Sequence, residues 1–112
     1  MAEHFNRLTP SEAERLAILS EELAEAAQVI GKILRHGYES YNPRDINRTT
    51  NRSLLQRELG DVQCIIDLMV KRGDIDQTML RVWTGDKYAR MKEYMHHENP
   101  VDHVIDQIDE NN

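Results

Sequence analysis

The chain is 112 residues long, with 39% hydrophobic and only 5% aromatic residues, and 20 acidic against 14 basic side chains leave a net charge of −6. This length supports one small core, and an acidic chain is a poor general binder of nucleic acid or of an anionic membrane. A single cysteine, Cys64, excludes an internal disulfide and points to a reducing compartment, while few glycines and prolines favour helices over a sandwich or barrel.

The N-terminal MAEHFNRLTPSEAE has no apolar run of the signal-peptide kind. No stretch approaches the ~18 uninterrupted apolar residues of a membrane span, so the expected setting is the cytoplasm. Thr9-Pro10-Ser11-Glu12 reads as a capping box with proline at the first helical position. Leu16, Leu23 and Ile30 then recur every seven residues, and Leu19, Ala26 and Ile33 follow three positions on. They predict a helix from about Pro10 to Arg35 packed through this stripe. Gly37 closes it, and Lys32, Arg35 and His36 suit its C-terminal end.

Residues 37–52 show no periodicity and read as a long loop, a feature that in a small domain is often functional. A second helix is expected from about Ser53 to Arg72, with a Ser53–Gln56 capping box, an apolar stripe of Leu55, Leu59, Val62, Ile66 and Met69, and Gly73 as its stop. Asp74 and Gln77 look like the cap of a third helical stretch from about Ile75 to His97, interrupted at Gly85. Residues 1–98 form the expected helical domain, and 99–112 a polar, acidic tail that Pro100 sets off. The expected architecture is all-α: an antiparallel bundle of three to four helices. With so few aromatics its core is expected to be completed by oligomerisation, as a tetramer in preference to a dimer. Met69, Met79, Met91 and Met95 read as core fillers, Cys64 as a small buried apolar residue, and His96 and His97 as charge partners of a helix C-terminus.

The chemistry lies in the acidic residues. Glu21-Glu22-x-x-Glu25 falls on the first helix, where Ile18, Glu22, Glu25 and Val29 follow a 4-3-4 spacing. On the second helix Leu54, Glu58, Asp61, Ile65 and Leu68 are spaced 4-3-4-3, with Gly60 between the carboxylates, where a neighbouring helix has room to approach. Each helix therefore has two carboxylates inside an apolar line. Packing through these lines would bring Glu22, Glu25, Glu58 and Asp61 together, and such a cluster requires protonation or bound cations. An all-oxygen site selects a hard cation, Mg²⁺ with Mn²⁺ as substitute. Mg²⁺ takes only one or two carboxylates, so the number of acids suggests two or more ions or outer-lying members. The plainer alternative is a set of solvated carboxylates paired with the many arginines.

The segments EELAEAAQVIGK (21–32), ELGDV (58–62) and DKYARM (86–91) resemble the all-alpha nucleoside triphosphate pyrophosphohydrolases of MazG type. The resemblance runs from Leu16 to about Glu93, and KILRHGYESYNP is similar to the phage-encoded and bacterial single-domain members. The 37–52 loop makes the gap between the acidic motifs longer than is usual there. The resemblance implies hydrolysis of a nucleoside triphosphate between its α and β phosphates, giving a monophosphate and pyrophosphate, in control of a nucleotide pool. It also implies Glu22, Glu25, Glu58 and Asp61 as metal ligands; Glu21, beside them, is close enough to hold or deprotonate the attacking water or to take part in binding a second ion, and ranks below the four. Lys87 and Arg90 match the family's basic motif and are expected at the phosphates, with Lys32 as a further phosphate contact. For base recognition, side-chain amides and planes to stack on are supplied by His36, Tyr38, Tyr41, Asn42 and Asn47 in or beside the loop, and by Trp83. Two rivals remain: a helical oligomerisation module without catalytic activity, and a nucleotide sensor.

Overall fold

The computed structural model describes residues 5–99. Over them the chain is all-helical, with α1 (Pro10–His36), α2 (Asn51–Arg72) and α3 (Gln77–Met91). A single antiparallel bridge joins Tyr41 to Thr50 in the connection between α1 and α2. The chain divides into two compact units, Met1–Asp74 and Ile75–Asn112.

Local chemistry sets the ends of α1. The Glu12 N–H donates to Thr9 Oγ1 at 3.1 Å and the Thr9 N–H to Glu12 Oε1 at 2.9 Å, which completes the expected capping box. Gly37 ends the helix at φ 90°, a backbone region that favours glycine, and its N–H donates to the Ile33 carbonyl at 2.7 Å.

The start of α2 departs from expectation. Thr50, not Ser53, is the N-cap, and Thr50 Oγ1 accepts from the Ser53 N–H at 3.2 Å. The cause is non-local. The loop turns back so that the Asn51 N–H meets the Ser40 carbonyl and the Arg52 N–H the Tyr38 carbonyl, both at 2.8 Å. Two helix-end donors that would otherwise lack partners are thereby satisfied, and the helix begins earlier. At the far end Gly73 adopts φ 85°, its N–H donating to Val70 and the Asp74 N–H to Met69, a Schellman closure.

The contacts at both ends make α1 and α2 an antiparallel hairpin. Arg15, near the start of α1, donates twice to Asp74, just past α2, at 2.6 and 2.9 Å. At the opposite end Asn51 Nδ2 donates to the Gly37 carbonyl at 3.1 Å. Ala26 and Val29 of α1 are buried with Val62, Ile65 and Met69 of α2.

The predicted stripe on α1 is buried only along one side: Ala26 is core and Leu19 and Ile33 are half-buried. Leu16, Leu23 and Ile30 stand exposed, Leu23 at 51%. At ~100° per residue this line lies about 90° round the helix from the midline of Ala26 and Val29. The same geometry corrects the reading of Cys64, which is exposed, because it points about 130° away from the buried midline of α2. Gly60 does not serve a close approach either: a Cβ there would meet nothing within 4 Å.

In the second unit, Asp76 caps α3 by accepting from the Met79 N–H at 3.2 Å. Asp74 cannot serve as cap because Arg15 holds its carboxylate. The helix runs unbroken through Gly85 and ends at Met91, so His96 and His97 lie outside it. Met79 is exposed, whereas Met69 is core and Met91 and Met95 are half-buried. Among the described residues no helix is long and apolar enough to cross a membrane. Pro100 and the rest of the expected acidic tail lie outside the described residues.

Candidate metal centre

The hairpin places acids at the middle of its buried face. On α1 Glu22 projects within about 10° of the midline defined by Ala26 and Val29, and on α2 Glu58 lies equally close to the midline of Val62, Ile65 and Met69. Glu25 and Asp61 stand about 60° to 70° to one side of these midlines, on the open edge of the same face. The two mixed lines read from the sequence therefore face each other, anchored by buried Val29 and Ile65.

Carboxylate oxygens of Glu22, Glu58 and Asp61 lie within 4.8 Å of one another. Glu22 and Glu58 are half-buried, and Asp61 is open to solvent. Glu25, also half-buried, lies within hydrogen-bond reach of Glu58 when one of the two is protonated. Burial pushes the Glu58 carboxyl above its usual range, the Glu25 bond and the charges of Glu25 and Asp61 push the same way, and Arg57 opposes them. Glu22 Oε2 and Glu58 Oε2 are buried with no hydrogen-bond partner. An ionised carboxylate only accepts, so neighbouring carboxylates cannot satisfy one another without a proton or a cation. The donor set consists of oxygens alone, it carries negative charge, and two of its buried oxygens lack partners. That chemistry fits a hard divalent cation such as Mg²⁺ or Mn²⁺.

Glu21 is exposed and is not one of the converging acids. Its direction on α1 is about 40° from that of Glu25, which sets it at the solvent rim of the cluster.

The remaining candidates separate into groups. Lys32, His36 and Asn42 line a cavity between the end of α1, the loop and the start of α2. Tyr38 is engaged by Arg52, whose guanidinium lies 4.4 Å from the ring centroid while its Nε donates to Glu39 at 2.6 Å. Arg48, at φ 51°, lies 5.8 Å from the Tyr41 ring. The Asn47 N–H donates to Asp45 Oδ1. In the second unit Lys87 Nζ donates to the Tyr94 hydroxyl at 3.0 Å, Arg90 pairs with Asp86 at 2.7 Å, and Trp83 is 60% exposed.

Sequence reasoning missed the Arg15–Asp74 clasp, whose partners stand 59 positions apart. It also missed Arg35, Asp45 and Asn51 as cavity residues. A run of turn-forming residues, Asn42 to Asn47, was the one available signal for an ordered loop. Comparison with family models, with curated proteins and with solved structures yields no match.

Proposed function

We propose that the protein is a Mg²⁺-dependent nucleotide pyrophosphohydrolase that converts a nucleoside triphosphate and water into a nucleoside monophosphate and pyrophosphate. The observation that carries this reading is the convergence of Glu22, Glu58 and Asp61 within 4.8 Å, with two buried oxygens lacking any partner. In it, Glu22, Glu25, Glu58 and Asp61 hold the metal. A divalent ion bound there supplies positive charge against the phosphate oxygens and lowers the pKa of water.

The chain's own residues do the rest. Buried Val29 and Ile65 fix the register of the two acidic lines, so the ligands meet without rearrangement of the helices. Half-buried Glu25 and Glu58 sit in a less polar setting, which strengthens their hold on a cation. Glu21, at the rim, takes the proton of the attacking water as the bond between the α and β phosphates breaks. The resemblance of EELAEAAQVIGK, ELGDV and DKYARM to the MazG-type enzymes supports the choice of reaction.

The same proposal includes a homo-oligomer, a tetramer in preference to a dimer, in which the bundle is completed between copies. Its support is the flank formed by Leu16, Leu23, Ile30 and Leu34, the last 83% exposed. A purely structural oligomerisation module would use this flank too. A nucleotide panel assayed for pyrophosphate release with and without Mg²⁺ separates the two. Metal-dependent release from at least one triphosphate supports the enzyme, and none from any of them leaves the module.

A further inference from the structure

The loop after α1 is tightly built. Asp45 Oδ1 accepts from the Asn47 N–H at 3.0 Å and Oδ2 from the Thr49 N–H at 2.9 Å. These bonds, Thr49 first, hold the Asp45 carboxyl below the usual carboxylate range. The Arg44 N–H donates to Asn42 Oδ1 at 3.0 Å, and Asn51, only 6% exposed, ties the start of α2 to the Gly37 carbonyl. Between this loop and the helices lies a cavity of about 430 Å³, within the size range of small-molecule sites. Lys32, Arg35 and His36 line it from α1, Asn42 and Asp45 from the loop, and Asn51 from α2.

The charges in this wall are unevenly committed. The one carboxylate, Asp45, is occupied by the loop's own backbone. Among the described residues no hydrogen bond or ion pair engages the side chain of Lys32, Arg35 or His36. Positions 32, 35 and 36 are spaced i, i+3, i+4, so the three heads share one helical face. The negative end of the α1 dipole accommodates them there without a carboxylate partner. Lys32 stands two turns beyond Glu25, about 10 Å along α1, and none of Glu22, Glu25, Glu58 or Asp61 lines the cavity.

We propose that this cavity is a binding site for a multiply charged phosphate group, held by Lys32, Arg35 and His36 without a divalent metal. Free pyrophosphate and the phosphates of a nucleotide share that chemistry. The loop side of the wall is fixed by its own hydrogen bonds before a ligand arrives, so only the cationic side chains are left to order on binding.

The test is calorimetric titration of the full chain in EDTA with pyrophosphate, AMP and adenosine. Pyrophosphate and AMP are expected to bind and adenosine is not. The tighter of the two anions identifies the source, free pyrophosphate or nucleotide. Replacing Lys32 or Arg35 singly by Gln should weaken pyrophosphate about tenfold, the usual scale for losing one charge-assisted contact. Both positions are exposed, so these variants keep the helix, which circular dichroism verifies. Glu58→Gln should bind pyrophosphate as the wild type does, so failure of the metal reading and failure of this one are told apart. No binding in EDTA, wild-type affinity for pyrophosphate in both Gln variants, or adenosine binding as tightly as pyrophosphate would overturn the proposal.

Discussion

Metal-dependent stability offers the sharpest test of the acidic cluster. Adjacent oxygens round an octahedral Mg²⁺ stand ~3 Å apart and opposite ones ~4.2 Å, at metal–oxygen distances of ~2.1 Å. Oxygens of Glu22, Glu58 and Asp61 already lie within 4.8 Å, so side-chain adjustment alone closes the site. A cation that binds only the folded state at a free concentration of 100 times its Kd adds about 2.7 kcal/mol. For a chain of this size that is a rise in Tm of about 10–15 °C. Thermal unfolding followed by circular dichroism, with EDTA, Mg²⁺ or Mn²⁺, measures it. Glu22→Gln removes one ligand and should cut affinity by more than the ~10–100-fold that loss of an outer supporting partner costs, which at the same metal concentration removes most of the rise. In EDTA the same variant should melt no lower than the wild type, because a charge has left a crowded cluster. Glu21→Gln, outside the converging oxygens, should retain the rise. A wild-type Tm indifferent to both metals would refute the metal reading, and a full rise in Glu22→Gln would refute the ligand assignment.

Other consequences are more local. Met69 is 3% exposed at the hairpin core, so Met69→Ala should cost about 2–5 kcal/mol in urea unfolding, and a loss well under that would place the core elsewhere. Thr50→Ala should cost about 1 kcal/mol and Ser53→Ala far less, because Thr50 supplies the capping oxygen; equal costs would contradict the cap assignment. The bond from Arg15, and then its charge, hold the Asp74 carboxyl below its usual range. The unfolded chain therefore binds more protons than the folded one between the two pKa values. The clasp contributes fully at neutral pH and is lost as the pH falls through about 4 and below. Asp74→Asn should flatten that acid limb of the stability profile, and an unchanged acid limb would show that the clasp contributes nothing.

Much of the fold is legible locally. The Thr9–Glu12 box and the closing glycines at 37 and 73 each act through neighbours a few positions away, so sequence alone places them. The all-helical class follows from the same signals. Three features escape because distant parts of the chain decide them. The stripe read on α1 has two sides, and only contact with α2 selects that of Ala26 over that of Leu23 and Ile30. Loop carbonyls at Tyr38 and Ser40 choose Thr50 over Ser53 as the cap. Arg15 removes Asp74 from the role of cap. The acidic pairs were legible for the opposite reason: a carboxylate inside an apolar line violates the pattern that packing demands, and at Glu22 and Glu58 that violation sits at the centre of the buried face.

Where the violation sits weighs on the choice between readings. Among the described residues the buried apolar set is Ala26, Val29, Val62, Ile65 and Met69, so this hairpin has little apolar contact to spare. A leucine at position 22 or 58 would extend the core, whereas a carboxylate leaves a buried oxygen without a partner. One proton shared between Glu25 and Glu58 relieves that pair but gives nothing to Glu22 Oε2. A cation among Glu22, Glu58 and Asp61 satisfies all three at once. Self-association through Leu16, Leu23 and Ile30 would cover the outer flank and leave these inner oxygens as they are. Self-association alone therefore explains the exposed leucines and not the unpartnered carboxylate oxygens, which a bound cation would satisfy.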